Sequence, residues 1–194
     1  GRGFPSLIAV AQDASGNGMA MCLAISKAIG TTKMGVLDST FEEEVVIDLF
    51  EEHQPSLYGL RAMYTALVEA GCSPEAVMLD LYASGEGVKF AEYGRDLGAF
   101  ERMKRTSVTA QYGHLVWSKQ YFDEEKTLNG MREMLANIKD GSFIAALKAE
   151  KAKNAKDIDQ TWKENNDHEL VKKEHELYQL LGRRPKDAPA PGDD

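Results

Sequence analysis

The stretch Ser39-Thr40-Phe41-Glu42-Glu43-Glu44-Val45-Val46-Ile47-Asp48-Leu49-Phe50-Glu51-Glu52-His53 reads as one helix with its start signal attached. The two hydroxyls offer an N-cap, and Glu42, Glu43 and Glu44 crowd the positive end of the helix dipole. The expected helix runs to Phe50 or His53. Within it Glu44, Asp48 and Glu52 are spaced i, i+4, i+8 and share one face, where three like charges repel unless water or a cation neutralises them. Carboxylate oxygens are what Mg²⁺ or Mn²⁺ prefers; a solvated acidic face is the plain alternative. Val45, Ile47, Leu49 and Phe50 surround Asp48, so an unpaired charge there is expected to be costly.

Working outward, the helical pattern continues. Pro55-Ser56 opens a helix through Leu57, Leu60, Met63, Tyr64, Leu67 and Val68 that Gly71 stops. Ser73-Pro74-Glu75 is a second start signal, with a capping hydroxyl, a proline whose missing N–H is harmless and an acid in the first turn. The helix after it carries Val77, Leu79, Leu81 and Tyr82 toward Gly85 and Gly87. Beyond Thr109-Ala110-Gln111-Tyr112-Gly113-His114 the pattern returns to helix through Met131, Met134, Leu135 and Ile138, and Asp140-Gly141-Ser142 breaks it. From Ile144 to Leu181 the apolar positions are sparse, which predicts solvent-lapped helices. On the N-terminal side, Ser15 is a candidate N-cap for a helix from Met19 to Ile29, apolar or small on nearly every face and so expected to be buried on all sides. Phe4-Pro5-Ser6-Leu7-Ile8-Ala9-Val10 alone reads as a strand, buried, with its sheet expected to be absent. The fold class is mainly α.

Composition narrows the partners. Asp and Glu number 31 against 23 Lys and Arg, a net charge of −8 over 194 residues, with 43% hydrophobic residues and no long basic run. Such a chain is a poor counterpart for nucleic acid or for an anionic membrane surface. Ser6–Ala11, the longest apolar stretch of the first half, is far short of the roughly 20 residues a bilayer crossing needs, and no charged-then-apolar leader precedes it. Cys22 and Cys72 stand apart with no CxxC spacing, which points to a reducing interior and a cytoplasmic location. The first residue is Gly, so the chain is expected to be a piece of a longer or processed protein.

Other candidate chemistry is sparse. Asp80 and Ser84 form an i, i+4 pair among Leu79, Leu81 and Tyr82, with Glu86 just after Gly85. An acid in an apolar helix asks for a partner; an Asp near a helix end facing water is the alternative. Ser107, within Thr106-Ser107-Val108-Thr109, reads most simply as a turn or cap. His53, His114, His168 and His175 show no zinc spacing. No GxSxG, P-loop or GxGxxG occurs, and Gly16-Asn17-Gly18 reads as a helix entry turn, so no nucleotide site is expected in this chain.

In order and spacing, Phe4 to Val10, Gln12-Asp13-Ala14-Ser15-Gly16-Asn17, Ala28-Ile29-Gly30, Gly35-Val36, Ser39-Thr40-Phe41 and Asp48-Leu49-Phe50 followed by Glu52 resemble the ketol-acid reductoisomerase (acetohydroxy-acid isomeroreductase) family. Leu67-Val68-Glu69-Ala70-Gly71-Cys72-Ser73-Pro74-Glu75 and Thr109 to Gly113 resemble that family's next two landmarks. The likeness covers residues 3 to about 115 and fades beyond. It implies a knotted helical domain that follows an N-terminal Rossmann domain, here absent, which binds NADPH. It implies Mg²⁺, two ions, and a homodimer with a shared active site. The substrate would be a small 2-hydroxy-keto acid, 2-acetolactate or 2-aceto-2-hydroxybutyrate. It would undergo Mg²⁺-dependent alkyl migration and reduction to a 2,3-dihydroxy acid in branched-chain amino-acid biosynthesis.

Carried over by position, Asp48 matches the carboxylate bridging the ions and Glu52 a ligand of one of them, the pair counted as catalytic. Glu44 matches a supporting acid behind them. Asp80 stands where the family has a metal-binding glutamate from the partner chain, and Ser107 where a serine contacts substrate. The family's second glutamate, four residues after Asp80, is here Ser84, counted with the substrate contacts, and Glu86 across the Gly85 bend is the acid that could compensate. Glu51 and His53 replace the family's Gly and Gln, and the stretch between Glu52 and Gly71 is shorter than usual. The expected organisation is residues 1–13 as the end of the missing domain or a linker, 14–150 as the metal- and substrate-binding domain, 151–182 as a polar helical extension and 183–194 as a disordered tail. A helical dimerisation module that has lost its chemistry is the competing reading, and Ser84 is what such a loss would look like.

Overall fold

Thr40 decides where the first long acidic helix starts: its hydroxyl accepts the Glu43 amide at 3.0 Å, and α2 runs Phe41–Glu52. A computed structural model describes residues 6–185, 187 and 189. They are mainly helical, and the chain divides into two compact units, residues 1–54 with 128–145, and residues 55–127 with 146–194. Among the described residues no helix is long and apolar enough to cross a membrane.

The first unit contains the only strands among the described residues. β1 (Ser6–Ile8) pairs in parallel with β2 (Val36–Asp38), Leu7 opposite Leu37. The expected strand is therefore present from Ser6, while Phe4 and Pro5 lie outside the described residues. Two of its expectations fail. A partner strand exists, and the run is not buried on both faces, because a two-stranded ribbon covers only one: Ile8 is buried and Leu7 is exposed. Between the strands, α1 (Gly18–Ile29) ends at Gly30, whose φ of 83° makes the left-handed turn that a side chain would resist.

Ser15 does not cap α1. The Asp13 carboxylate does, accepting the Gly18 amide at 2.9 Å, and that bond holds its pKa below the usual carboxylate value. Nor is α1 buried on all sides; none of its residues is, and Met21 and Ile25 are each 59% exposed. Its apolar faces reflect composition, which does not by itself say what covers them.

In the second unit, α3 (Ser56–Glu69) and α4 (Pro74–Met78) follow their predicted signals. The Ser73 hydroxyl accepts the Ala76 amide at 3.4 Å. After α4 the chain widens into a π-helical turn, Leu79–Ala83, before Gly85 and α5 (Glu86–Leu97). The segment Thr109–His114 is helical, within α6 (Val108–Leu115), in keeping with the reading of everything after the first run as helical.

α7 (Glu124–Lys139) stops at the predicted Asp140-Gly141-Ser142, and α8 (Ser142–Ala152), α9 (Lys156–Asn166) and α10 (Glu169–Leu180) complete the chain. α10 is not merely solvent-lapped. Its Leu170 and Leu177 join Tyr64, Val77, Met78 and Ala83 in the core of this unit. The tail expected to be disordered falls largely outside the described residues.

Candidate metal and substrate site

α2 presents Asp48 and Glu52 one turn apart, about 6 Å along its axis, and both are exposed. Asp48 therefore does not bear the burial cost its apolar neighbours predicted: Ile47 beside it is 53% exposed too. Among the described residues no side-chain hydrogen bond or ion pair commits Asp48, Glu52 or Glu44. The C-terminal end of the helix is fastened. His53 Nδ1 bonds to the Leu49 carbonyl, its ring stands edge-on to Phe143 at 4.1 Å, and Gln54 Nε2 donates to the Phe50 carbonyl at 3.0 Å. These anchors were not read from the sequence, although an amide or imidazole just past a helix end is a signal for carbonyl capping.

Asp80 lies on the π-helical turn, Ser84 ends it and Glu86 opens α5. All three are exposed, so the apolar neighbours of Asp80 do not bury it, and it faces water. Ser84 Oγ accepts the Glu86 amide at 3.3 Å, a local brace across Gly85, whose φ of 84° makes the bend. Ser107 is the N-cap of α6: its hydroxyl oxygen accepts the Ala110 amide at 3.1 Å, as the turn-or-cap reading expected, and its proton stays available to donate.

Asp48 and Glu52 belong to one unit, and Asp80, Ser84, Glu86 and Ser107 to the other. Among the described residues no three His, Cys, Asp or Glu side chains gather closely enough to enclose a metal ion. Two uncommitted carboxylates at helical spacing fit the oxygen preference of Mg²⁺, and they could supply part of a shell rather than a whole one.

Each unit has a hollow that the sequence did not announce. In the first, about 540 Å³ opens at the carboxyl ends of β1 and β2, bordered by Asp13, Asp38 and Thr40. In the second, a mainly apolar cavity of about 850 Å³ is lined by residues that include Leu57, Tyr58, Tyr82, Trp162 and Val171. Neither is lined by Asp48, Glu52, Asp80, Glu86 or Ser107.

Comparison with known proteins agrees along the chain. The description "Ketol-acid reductoisomerase, C-terminal domain" matches residues 41–182, and "Acetohydroxy acid isomeroreductase, NADPH-binding domain" matches residues 1–35. A ketol-acid reductoisomerase homologue of Saccharolobus solfataricus is 38% identical over 192 residues, 96% of this chain and 57% of that protein. The ketol-acid reductoisomerase (NADP(+)) of Mycobacterium avium is 33% identical over 192 residues, again 96% of this chain and 54% of its own length. The solved structure of an NADH-preferring ketol-acid reductoisomerase from an uncultured archean superposes with a TM-score of 0.76 at 26% identity, over 92% of this chain and 53% of that one. The chain thus spans about half the length of the relatives it matches. With most of its length, α2 to α10 included, in the helical domain's match, the chain belongs to the ketol-acid reductoisomerase family.

Proposed function

We propose that this chain is the metal- and substrate-binding part of a ketol-acid reductoisomerase. The reaction it serves converts 2-acetolactate, or its ethyl homologue, to a 2,3-dihydroxy acid in cytoplasmic branched-chain amino-acid biosynthesis. The observation that carries the reading is the family match over residues 41–182, within which Asp48 and Glu52 are exposed and uncommitted. Asp48 and Glu52 would hold two Mg²⁺, with Glu44 behind them and Asp80 and Glu86 supplied by a second copy. When bound, the ions supply Lewis acidity to the ketone and hydroxyl oxygens and a template for the substrate.

The chain's own groups orient the acid. With its oxygen engaged by the Ala110 amide, Ser107 can donate its proton to a substrate oxygen, and the start of α6 behind it favours the substrate's negative charge. Ser84 would make a further contact. The alkyl group moves from C2 to C3 while the C2 hydroxyl becomes the ketone and the C3 ketone the hydroxyl, with no net redox change. Hydride from a nicotinamide held by the NADPH-binding domain, of which residues 1–35 match a piece, then reduces the new ketone. NADPH is the expected donor, and NADH is tested beside it because the solved relative prefers NADH.

A shared site in a homodimer is supported by surface. Met21, Ile25 and Ile29 of α1 are each more than half exposed, an apolar face of the kind a second copy would cover. The dimerisation-module reading is favoured by one observation, Ser84 where the family has an acid. Joining the chain to a working NADPH domain separates the two. Mg²⁺-dependent consumption of 2-acetolactate, lost in Asp48→Asn, is the expected result, and a well-folded fusion that is a dimer without turnover would establish the module instead.

A further inference from the structure

We propose that Arg183 is a positioning residue for the Asp80, Ser84 and Glu86 limb of the site, a role that rests on the reading above. α10 ends in a Schellman arrangement. Gly182, at φ 66°, donates its amide to the Gln179 carbonyl at 3.1 Å, and the Arg183 amide reaches back to the Tyr178 carbonyl at 2.8 Å. That reversal lays the Arg183 guanidinium over the Tyr178 ring, 5.5 Å from its centroid, and sends Nη1 to the Ala83 carbonyl at 2.7 Å, 100 residues away in sequence.

Ala83 is 2% exposed and is the last residue of the π-helical turn, where a helix leaves carbonyls without amide partners. One residue on, Ser84 closes the turn through its amide to Leu79 at 3.0 Å, and Gly85 bonds to Tyr82 at 3.1 Å. The direction in which Asp80 and Glu86 leave this turn therefore depends on a widened helix end whose buried carbonyl is held by a cation from the far end of the chain. A wide turn of this kind is less regular than the α-helix before it, and an external donor selects one geometry for it. The charged bond is the strong type, and the Tyr178 stack preorganises its donor.

Amide hydrogen exchange and Mg²⁺ calorimetry on the 194-residue chain test this. Arg183→Met keeps the stem over Tyr178 and removes the donors. It should raise exchange at Ser84 and Gly85 at least tenfold while leaving the Ala70 amide of α3 unchanged, and it should weaken Mg²⁺ binding at least threefold. Arg183→Lys keeps one donor and should recover part of both, a rescue that general destabilisation does not produce; if Arg183→Met does not fold, Arg183→Lys should still lie measurably short of wild type. Unchanged exchange at Ser84 and Gly85, or faster exchange with unchanged Mg²⁺ binding, overturns the positioning role. Asp80→Asn separates the two readings. If it weakens Mg²⁺ binding and Arg183→Met does not, only the clasp is wrong. If wild type binds no Mg²⁺, the site reading fails, and the positioning role with it.

Discussion

Replacing Tyr64 by Phe should stabilise the second unit. The Tyr64 side chain is 1% exposed, and its hydroxyl is buried with no hydrogen-bond partner among the described residues. Burial raises its pKa, with Glu169 adding to the shift. An unsatisfied buried polar group costs about 1–3 kcal/mol, and Phe removes the group while keeping the ring that packs edge-on to His168 at 6.4 Å.

The small space left subtracts part of that gain, so urea unfolding at pH 7 should show Tyr64→Phe more stable by about 1 kcal/mol. The pH dependence gives a second check. Because the folded pKa is raised, the unfolded chain loses its phenolic proton first as pH climbs past about 10, and stability falls by about 1.4 kcal/mol per pH unit for that group. Tyr64→Phe removes the loss, so its advantage over wild type should widen between pH 9 and pH 11. A variant that is destabilised by 1 kcal/mol or more at pH 7, with an advantage that does not widen, would show that the hydroxyl is satisfied.

Tyr82 and Tyr178, also pushed up by burial beside Glu174, should likewise make wild type lose stability above pH 10, and the loss should be shallower in Tyr178→Phe. Met78→Ala, at a fully buried side chain, should cost about 2–5 kcal/mol in the same unfolding assay. Millimolar Mg²⁺ should raise the thermal midpoint of wild type, by the equivalent of about 2.7 kcal/mol at 100 times Kd, and should leave Asp48→Asn unmoved; equal shifts in both would remove the site. Ile25→Asp on the exposed face of α1 should turn a dimer into a monomer in analytical ultracentrifugation, and a wild-type monomer at micromolar concentration would dispose of the shared site.

What the sequence determined by itself was local. Thr40, Ser73-Pro74, Gly71 and Gly141 mark helix ends because a cap is satisfied within three or four residues of itself, whatever lies farther off. The likeness in motif order that names the family is legible for the same reason. Tertiary structure decided everything that needed a distant partner. Val36–Asp38 is a strand only because β1 lies beside it, and α10, polar in composition, enters the core because α3 and α4 offer Tyr64 and Met78 to Leu170 and Leu177.

The same rule separates the expectations about charge and burial from their outcome. Apolar neighbours along a helix said that Asp48 and Asp80 would be costly to leave unpaired, but which side of a helix is covered is set by the elements packed on it, and both acids face water. α1, apolar nearly all round, has no buried residue, because composition alone does not say which faces of a helix are packed against. The widened turn at Leu79–Ala83, held by Arg183 from across the unit, has no signature in residues 79–83 themselves, since its geometry is fixed by a donor 100 residues away.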